Sequence, residues 1–188
     1  GWIIKGGGSY TYFPWARYNI APESSRVASF LSAEGIAGPF ALLFKASELW
    51  NAGKNSFRIR TSAGINLNAG LHLRLAGNGA AGGGGFGWSL SGRATYGVRR
   101  LTLVCSALYF DAPLWECRIY EYERDLPQSY ASQLLYGKGY KVYLYLAWKP
   151  SRWLALHIKG EHLGYLAPRN GEWQDSNSRI KLGLQVEL

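Results

Sequence analysis

Methionine is absent from these 188 residues, cysteine occurs only twice, and just 18% of positions are charged. Lacking a start residue, and opening Gly-Trp-Ile-Ile where a basic and apolar leader would stand, the chain reads as a processed or partial product. Two cysteines are too few for a disulfide framework. No stretch reaches the roughly 18 consecutive apolar residues that a membrane helix needs. The run Phe40–Phe44, for example, is broken at once by Lys45. A helical membrane protein is therefore excluded. So is a disordered tail, because 47% of residues are apolar and 15% aromatic.

What is present is unusual for a water-soluble globule: 24 Gly, 13 Tyr and 8 Trp. The mean hydropathy of −0.14 does not argue against a membrane, since a strand with one polar and one apolar face averages to near neutrality. The net charge of +9 invites a nucleic-acid reading. The basic residues, however, fall singly along alternating segments and form neither a run nor a basic helix. They are expected to face water and anionic lipid head groups.

The last eleven residues carry the clearest pattern. Ile180, Leu182, Leu184, Val186 and Leu188 alternate with Arg179, Lys181, Gly183, Gln185 and Glu187, and a period of two is a strand with one apolar face. Leu154, Leu156 and Ile158 alternate in the same way, as do Val142, Leu144, Leu146 and Trp148. Upstream, the pattern predicts strands near 101–110, 85–96, 70–77, 56–66, 39–47, 26–35 and 2–13, ten in all, with the first fifty residues the least regular. Short connections are expected at Ile36–Gly38, Leu67–Ala69, Gly97–Arg100 and Lys149–Arg152. Long ones are expected at Pro14–Ser25, Glu48–Asn55, Asn78–Gly84, Asp111–Gly137 and Ala167–Asn177. Alternating short and long connections with an even strand number are the mark of an all-β, antiparallel transmembrane barrel of the bacterial outer membrane, with the chain's end on the periplasmic side. Aromatics near strand ends fit interfacial belts: Trp2, Phe13, Trp15, Tyr96, Tyr109, Phe110, Tyr140, Trp148, Trp153 and Tyr165. The whole span 1–188 is read as one barrel or the C-terminal part of a larger one.

The segment Arg118-Ile119-Tyr120-Glu121-Tyr122-Glu123-Arg124-Asp125, then Tyr136-Gly137-Lys138-Gly139 and the stretch from Tyr143 to Leu154, resembles the C-terminal barrel of Bacteroidota helix-hairpin-helix, competence-type proteins. The similarity covers roughly residues 85–188. It implies a barrel that follows a periplasmic helix-hairpin-helix region, a module that grips DNA backbone. That module is not among these residues, so DNA would be a partner only through it, and no DNA-binding residue is carried over.

Candidate sites follow from the alternation. Arg58, Arg60, Arg74, Arg93, Lys141, Lys159, Arg179 and Lys181 fall on the non-apolar faces and would make a cationic lumen. Asp111, Glu116, Arg118, Glu121, Glu123, Arg124 and Asp125 would form a mixed-charge cluster on a long outer loop. Such a cluster is expected to be solvated, or to meet lipopolysaccharide or other envelope proteins. Cys105 and Cys117 are equidistant from Asp111, so a hairpin centred there would oppose them. A cross-strand disulfide and a free thiol on the lipid face are both open. His72, His157 and His162 sit on different strands with no Ser, Asp or Glu at a motif spacing, and no cluster gives paired metal ligands. Gly77–Gly87, with its many glycines, reads as a flexible surface loop and not as a phosphate loop, because a strand and not a helix follows it. The expected function is a non-enzymatic channel, anchor or membrane subunit of an envelope complex, without cofactor. A barrel of a DNA-uptake protein and a barrel enzyme are the alternatives.

Overall fold

The computed structural model describes residues 1–13, 24–51, 54–67, 70–122, 126–127, 132–168 and 175–186. The strands are β1 (Trp2–Phe13), β2 (Ser24–Ala37), β3 (Phe40–Asn51), β4 (Lys54–Leu67), β5 (Leu71–Gly82), β6 (Gly85–Val98), β7 (Leu101–Ala112), β8 (Ile119–Tyr122), β9 (Ser132–Leu135), β10 (Gly137–Trp148), β11 (Leu154–Tyr165) and β12 (Asn177–Val186). Ten of them form one antiparallel meander in the order β1-β2-β3-β4-β5-β6-β7-β10-β11-β12, while β8 and β9 pair separately. The sheet is that of an up-and-down barrel left open: β1 and β12 are its edges. Apart from the 3-10 turn Trp115–Cys117, the described residues are essentially all strand and connection. No helix among them is long and apolar enough to cross a membrane.

Most expected strands appear, and they are longer than the alternation suggested. Two expected long connections shrink to two residues. The segment 48–55 is strand up to Asn51 and again from Lys54, with Glu48 opposite Phe57. The segment 78–84 is strand up to Gly83–Gly84, with Asn78 opposite Ser89. Glycine has low intrinsic strand preference, which is why Gly77–Gly87 looked like a loop. Ladder bonds from β4 on one side and between β5 and β6 on the other supply what propensity lacks. The turn itself uses glycine's freedom, since Gly83 and Gly84 have φ of +60° and +80°.

Connections at one end of the sheet remain short: Gly38–Pro39, 68–70, Arg99–Arg100 and Lys149–Trp153. At the other end lie 14–23, 52–53, Gly83–Gly84, 113–136 and 166–176. Both edge strands have their outer ends, Trp2 and Val186, at the short-turn end.

The connection 113–136 does not extend outward as the sequence suggested. Its described residues fold back against the inner face of the sheet. Ile119 and Leu135, both almost fully buried, pack with Ala80, Leu108 and Phe110, with Leu163 and Tyr165 against them. Farther along, Leu126 packs on Val104, Tyr143, Tyr145 and Ala147. Removing Ile119 and Leu135 from water contributes roughly 1.5–3 kcal/mol each, which is why the segment docks on the wall. Phe110 and Tyr165, expected in an interfacial belt, belong to this inner core and meet edge to face at 6.1 Å.

Gly87 makes the docking possible. A Cβ there would run into the carbonyl oxygen of Cys117 and stand 3.0 Å from the Ala112 Cβ. Gly87→Val is therefore expected to lift 113–136 off the wall. Limited proteolysis in detergent should cut that segment roughly tenfold faster, as an open population favoured by about 1.4 kcal/mol would be. Unchanged cleavage would show that the close approach does not hold the segment.

Candidate functional site

Register fixes which side chains share a face, because successive residues of a strand alternate. One face is apolar and exposed. On β10, Val142, Leu144 and Trp148 are exposed while Lys141, Tyr143, Tyr145 and Ala147 are buried. On β12, Ile180 is 79% exposed and Leu182 73%. Two aromatic belts edge this outer face. At the short-turn end lie Trp2, Phe40, Tyr96, Trp148 and Trp153. At the other end lie Trp50, Phe57, Phe86, Trp88 and Tyr140. The strand charges on the outer face, Glu48, Asp111 and Lys138, lie at the far end, where Lys138 pairs with Asp111 at 3.3 Å. Between the belts the described outer face carries no Asp, Glu, Lys or Arg.

The inner face holds the charge. All eight basic residues expected to point inward lie on it. Arg74 is opposite both Gly64 and Arg93, and the same row continues through Ser106, Tyr143, Glu161 and Arg179. They do not form one uniform lining. Lys141 and Lys159 are 4% and 0% exposed. Glu161 joins them, with its carboxylate 3.2 Å from the Lys141 ammonium and 3.3 Å from that of Lys159. Lys141 also donates to Gln133 of the docked segment, and Lys159 stands 5.0 Å from the Tyr143 ring centroid. These two lysines are inner, but wrapped in protein. On the β3–β4 side Lys45 and Arg58 are exposed, and with Arg60 and with Arg118 and Tyr120 of the docked segment they line a cavity of 200 Å³. Lys45 was not among the expected residues. Its place, opposite Arg60, follows from register and not from a local pattern. A larger hollow of 990 Å³ runs across the middle of the sheet from Phe40 to Ile180, with Arg74, Arg93, Glu161 and Arg179 among its lining residues beside Leu75 and Val142.

The expected outer-loop charge cluster is dispersed. Asp111 is on β7 with Lys138. Arg118 lies over the Trp115 ring at 4.7 Å, and its Nε donates to the Tyr120 hydroxyl at 2.9 Å. Glu121 is 5% exposed on the inner side, where it accepts a 3.1 Å hydrogen bond from Asn78. Glu116 lies on the 3-10 turn, where it approaches Gly82 and Gly83 of the β5–β6 hairpin. Glu123, Arg124 and Asp125 lie outside the described residues. The cause is the inward fold of the segment, which the burial of Ile119 and Leu135 enforces.

The cysteines are also not opposed. Cys105 points outward opposite Leu144, and Cys117 is buried in the 3-10 turn; both are free. The hairpin imagined around Asp111 does not exist, since β7 pairs with β10. One arrangement had no sequence signal because it arises from β11–β12 register. His162 Nδ1 is 2.8 Å from the Ser178 hydroxyl, and its Nε2 is 3.4 Å from the Tyr140 hydroxyl. The pair is on the outer face, and among the described residues no carboxylate contacts that imidazole, so it lacks the orienting acid of a hydrolytic triad. His157, by contrast, is buried, with Nδ1 2.8 Å from the Tyr145 hydroxyl.

No family model matches the chain, and no curated protein matches it. The helix-hairpin-helix resemblance thus gains no support from either comparison. A solved structure, "KdgM porin in complex with disordered oligogalacturonate", is similar at 13% identity with a TM-score of 0.46, covering 98% of this chain and 92% of that one. A likeness that distant carries no residue across, and the reading below rests on the strands themselves.

Two measurements follow from these positions. Glu161→Ala removes the carboxylate that the two enclosed ammonium groups share and is expected to cost about 3 kcal/mol in urea unfolding from lipid vesicles. A neutral result would show that both lysines reach water. A lipid-soluble maleimide is expected to label Cys105 in the folded protein and Cys117 only after denaturation; the reverse order would overturn the assignment of faces.

Proposed function

We propose that this chain is the barrel, or part of the barrel, of an integral outer-membrane protein that acts without catalysis, as a channel or as the membrane unit of an envelope assembly. The observation that carries this reading is the polarity of the sheet. Apolar side chains between two aromatic belts are exposed, while lysines and arginines face inward. In water, an exposed apolar surface of this extent would drive aggregation. In a bilayer it is the required arrangement, with belts at the two interfaces and charge kept from the hydrocarbon.

The inner cations give the channel version a preference. Arg58 and Lys45 are exposed beside the docked segment, with Arg60 next to them, so permeating anions are favoured there over cations. The docked segment narrows the interior on the β5–β7 and β10 side and leaves the β1–β4 side as the path for water. Partnership with lipopolysaccharide or other envelope proteins would involve the long-connection end of the sheet. The DNA-uptake reading draws on the sequence resemblance alone.

The test is direct. Membrane fractionation followed by gels of boiled and unboiled samples is expected to place the protein in the outer membrane with a heat-dependent shift in mobility. A soluble, unshifted protein would sink the barrel reading. In planar bilayers the protein is expected to pass chloride in preference to potassium, and Arg58→Glu with Arg60→Glu to reduce or reverse that preference. Cation selectivity, or no conductance at all, would reject the channel version and leave the scaffold version standing.

A further inference from the structure

We propose that Lys45, Arg58, Arg60 and Arg118 form a binding site for a compact multivalent oxyanion, the phosphate group of a soluble phosphate compound. The site rests on the assignment of the inner face made above.

Three features carry it. The first is enclosure. Strands β3 and β4 supply Lys45, Arg58 and Arg60, the docked segment supplies Arg118 from across the gap, and between them is a cavity of 200 Å³. That space holds a phosphate and some of its water. No carboxylate is among its described lining residues; Glu121 stands behind one of them, Asn78, from which it accepts a hydrogen bond.

The second is that two of the cations, Lys45 and Arg58, carry no counter-charge among the described residues. Among the described residues, Lys45 and Arg58 make no hydrogen bond or ion pair; each only approaches an aromatic ring, Phe30 at 5.9 Å and Tyr120 at 5.1 Å. Gathering like charges around one cavity is unfavourable by Coulomb's law, and a bound anion of more than one charge relieves it. A carboxylate or chloride brings a single charge, whereas phosphate brings up to two and several acceptor oxygens.

The third is orientation. Tyr120 is approached by Arg58 at 5.1 Å and by Arg118 at 5.7 Å, and Arg118 is further fixed by hydrogen bonds to the Tyr120 hydroxyl and the Trp115 carbonyl. These bonds use Nε and Nη1 and leave Nη2 for a ligand. Guanidinium groups held in this way meet phosphate oxygens with several donors in fixed geometry. The cavity is on the inner face, away from the outer belts, so the ligand arrives through water and not as a lipid head group.

The experiment uses the full chain refolded in detergent and inorganic phosphate as the probe, followed by titration calorimetry. Saturable binding is expected for the parent, weakened at least tenfold by Lys45→Ala with Arg58→Ala and by Arg118→Ala. Arg152→Ala, which removes one charge at the short-turn end, is expected to change affinity less than twofold. Equal losses in Arg152→Ala would mean diffuse attraction by net charge and would overturn the site, as would unchanged binding in Arg118→Ala. Phosphate bound equally well by vesicles lacking the protein would likewise overturn it. Since a variant can fail to refold, a measurement on the parent alone accompanies these: phosphate is expected to slow proteolysis of 113–136, the segment that supplies Arg118, where an equal concentration of chloride does not. Absence of that protection counts against the site. A barrel that prefers anions in bilayers yet binds no phosphate would sink this proposal and leave the channel reading intact.

Discussion

Glu161 holds Lys141 and Lys159 on the inner face of β10 and β11, with both ammonium groups almost wholly withdrawn from water. Charges in that position are tolerable only if each has a partner, and an arrangement that keeps them there fixes everything around it. Once odd-numbered residues of β10 and β11 point inward, the even-numbered ones must point out. The outer face then becomes Val142, Leu144, Trp148 and Ile158, and by register the same choice passes to every neighbouring strand. A slip by one residue would place lysines among the outer apolar side chains and leucines among the inner charges. The ion-paired trio therefore ties the polarity of the whole meander to a single register.

The docked segment completes that logic. An inner wall of small residues on β5 and β6, including Ala80, Gly87 and Ser89, leaves room that must be filled or wetted. The hairpin β8–β9 fills it from within the chain, burying Ile119 and Leu135 and meeting the wall's polar groups with Glu121 and Gln133. The interior consequently divides into a filled half and a half that keeps its cations open.

Much of the fold was legible because alternation is a local property: Phe57 through Asn66 or Val142 through Trp148 reveal their faces without any knowledge of partners. Ten strands and the sides of the eight basic residues follow from that alone. What local reading missed depends on partners. Gly77–Gly87 has few side chains with which to advertise a strand, and the ladders β4–β5 and β5–β6 make it one. The segment 113–136 carries enough charge to look solvent-exposed, whereas its few apolar residues decide its place. Lys45 beside Arg60, and Ser178 beside His162, are neighbours across strands and invisible along one. Of the two readings the cysteines left open, the disulfide falls for the same reason: equal spacing from Asp111 matters only if the chain turns there.

Ala112 and Gly137, the residues at which the docked segment leaves and rejoins the wall, are themselves register partners. To the sheet, β7 and β10 are therefore an ordinary adjacent pair whatever lies between them. The filling of the interior is carried on one contiguous cassette whose length and composition can change without moving a single ladder bond of the wall. Selection acting on what the barrel admits can rewrite that cassette while the membrane-facing scaffold stays as it is.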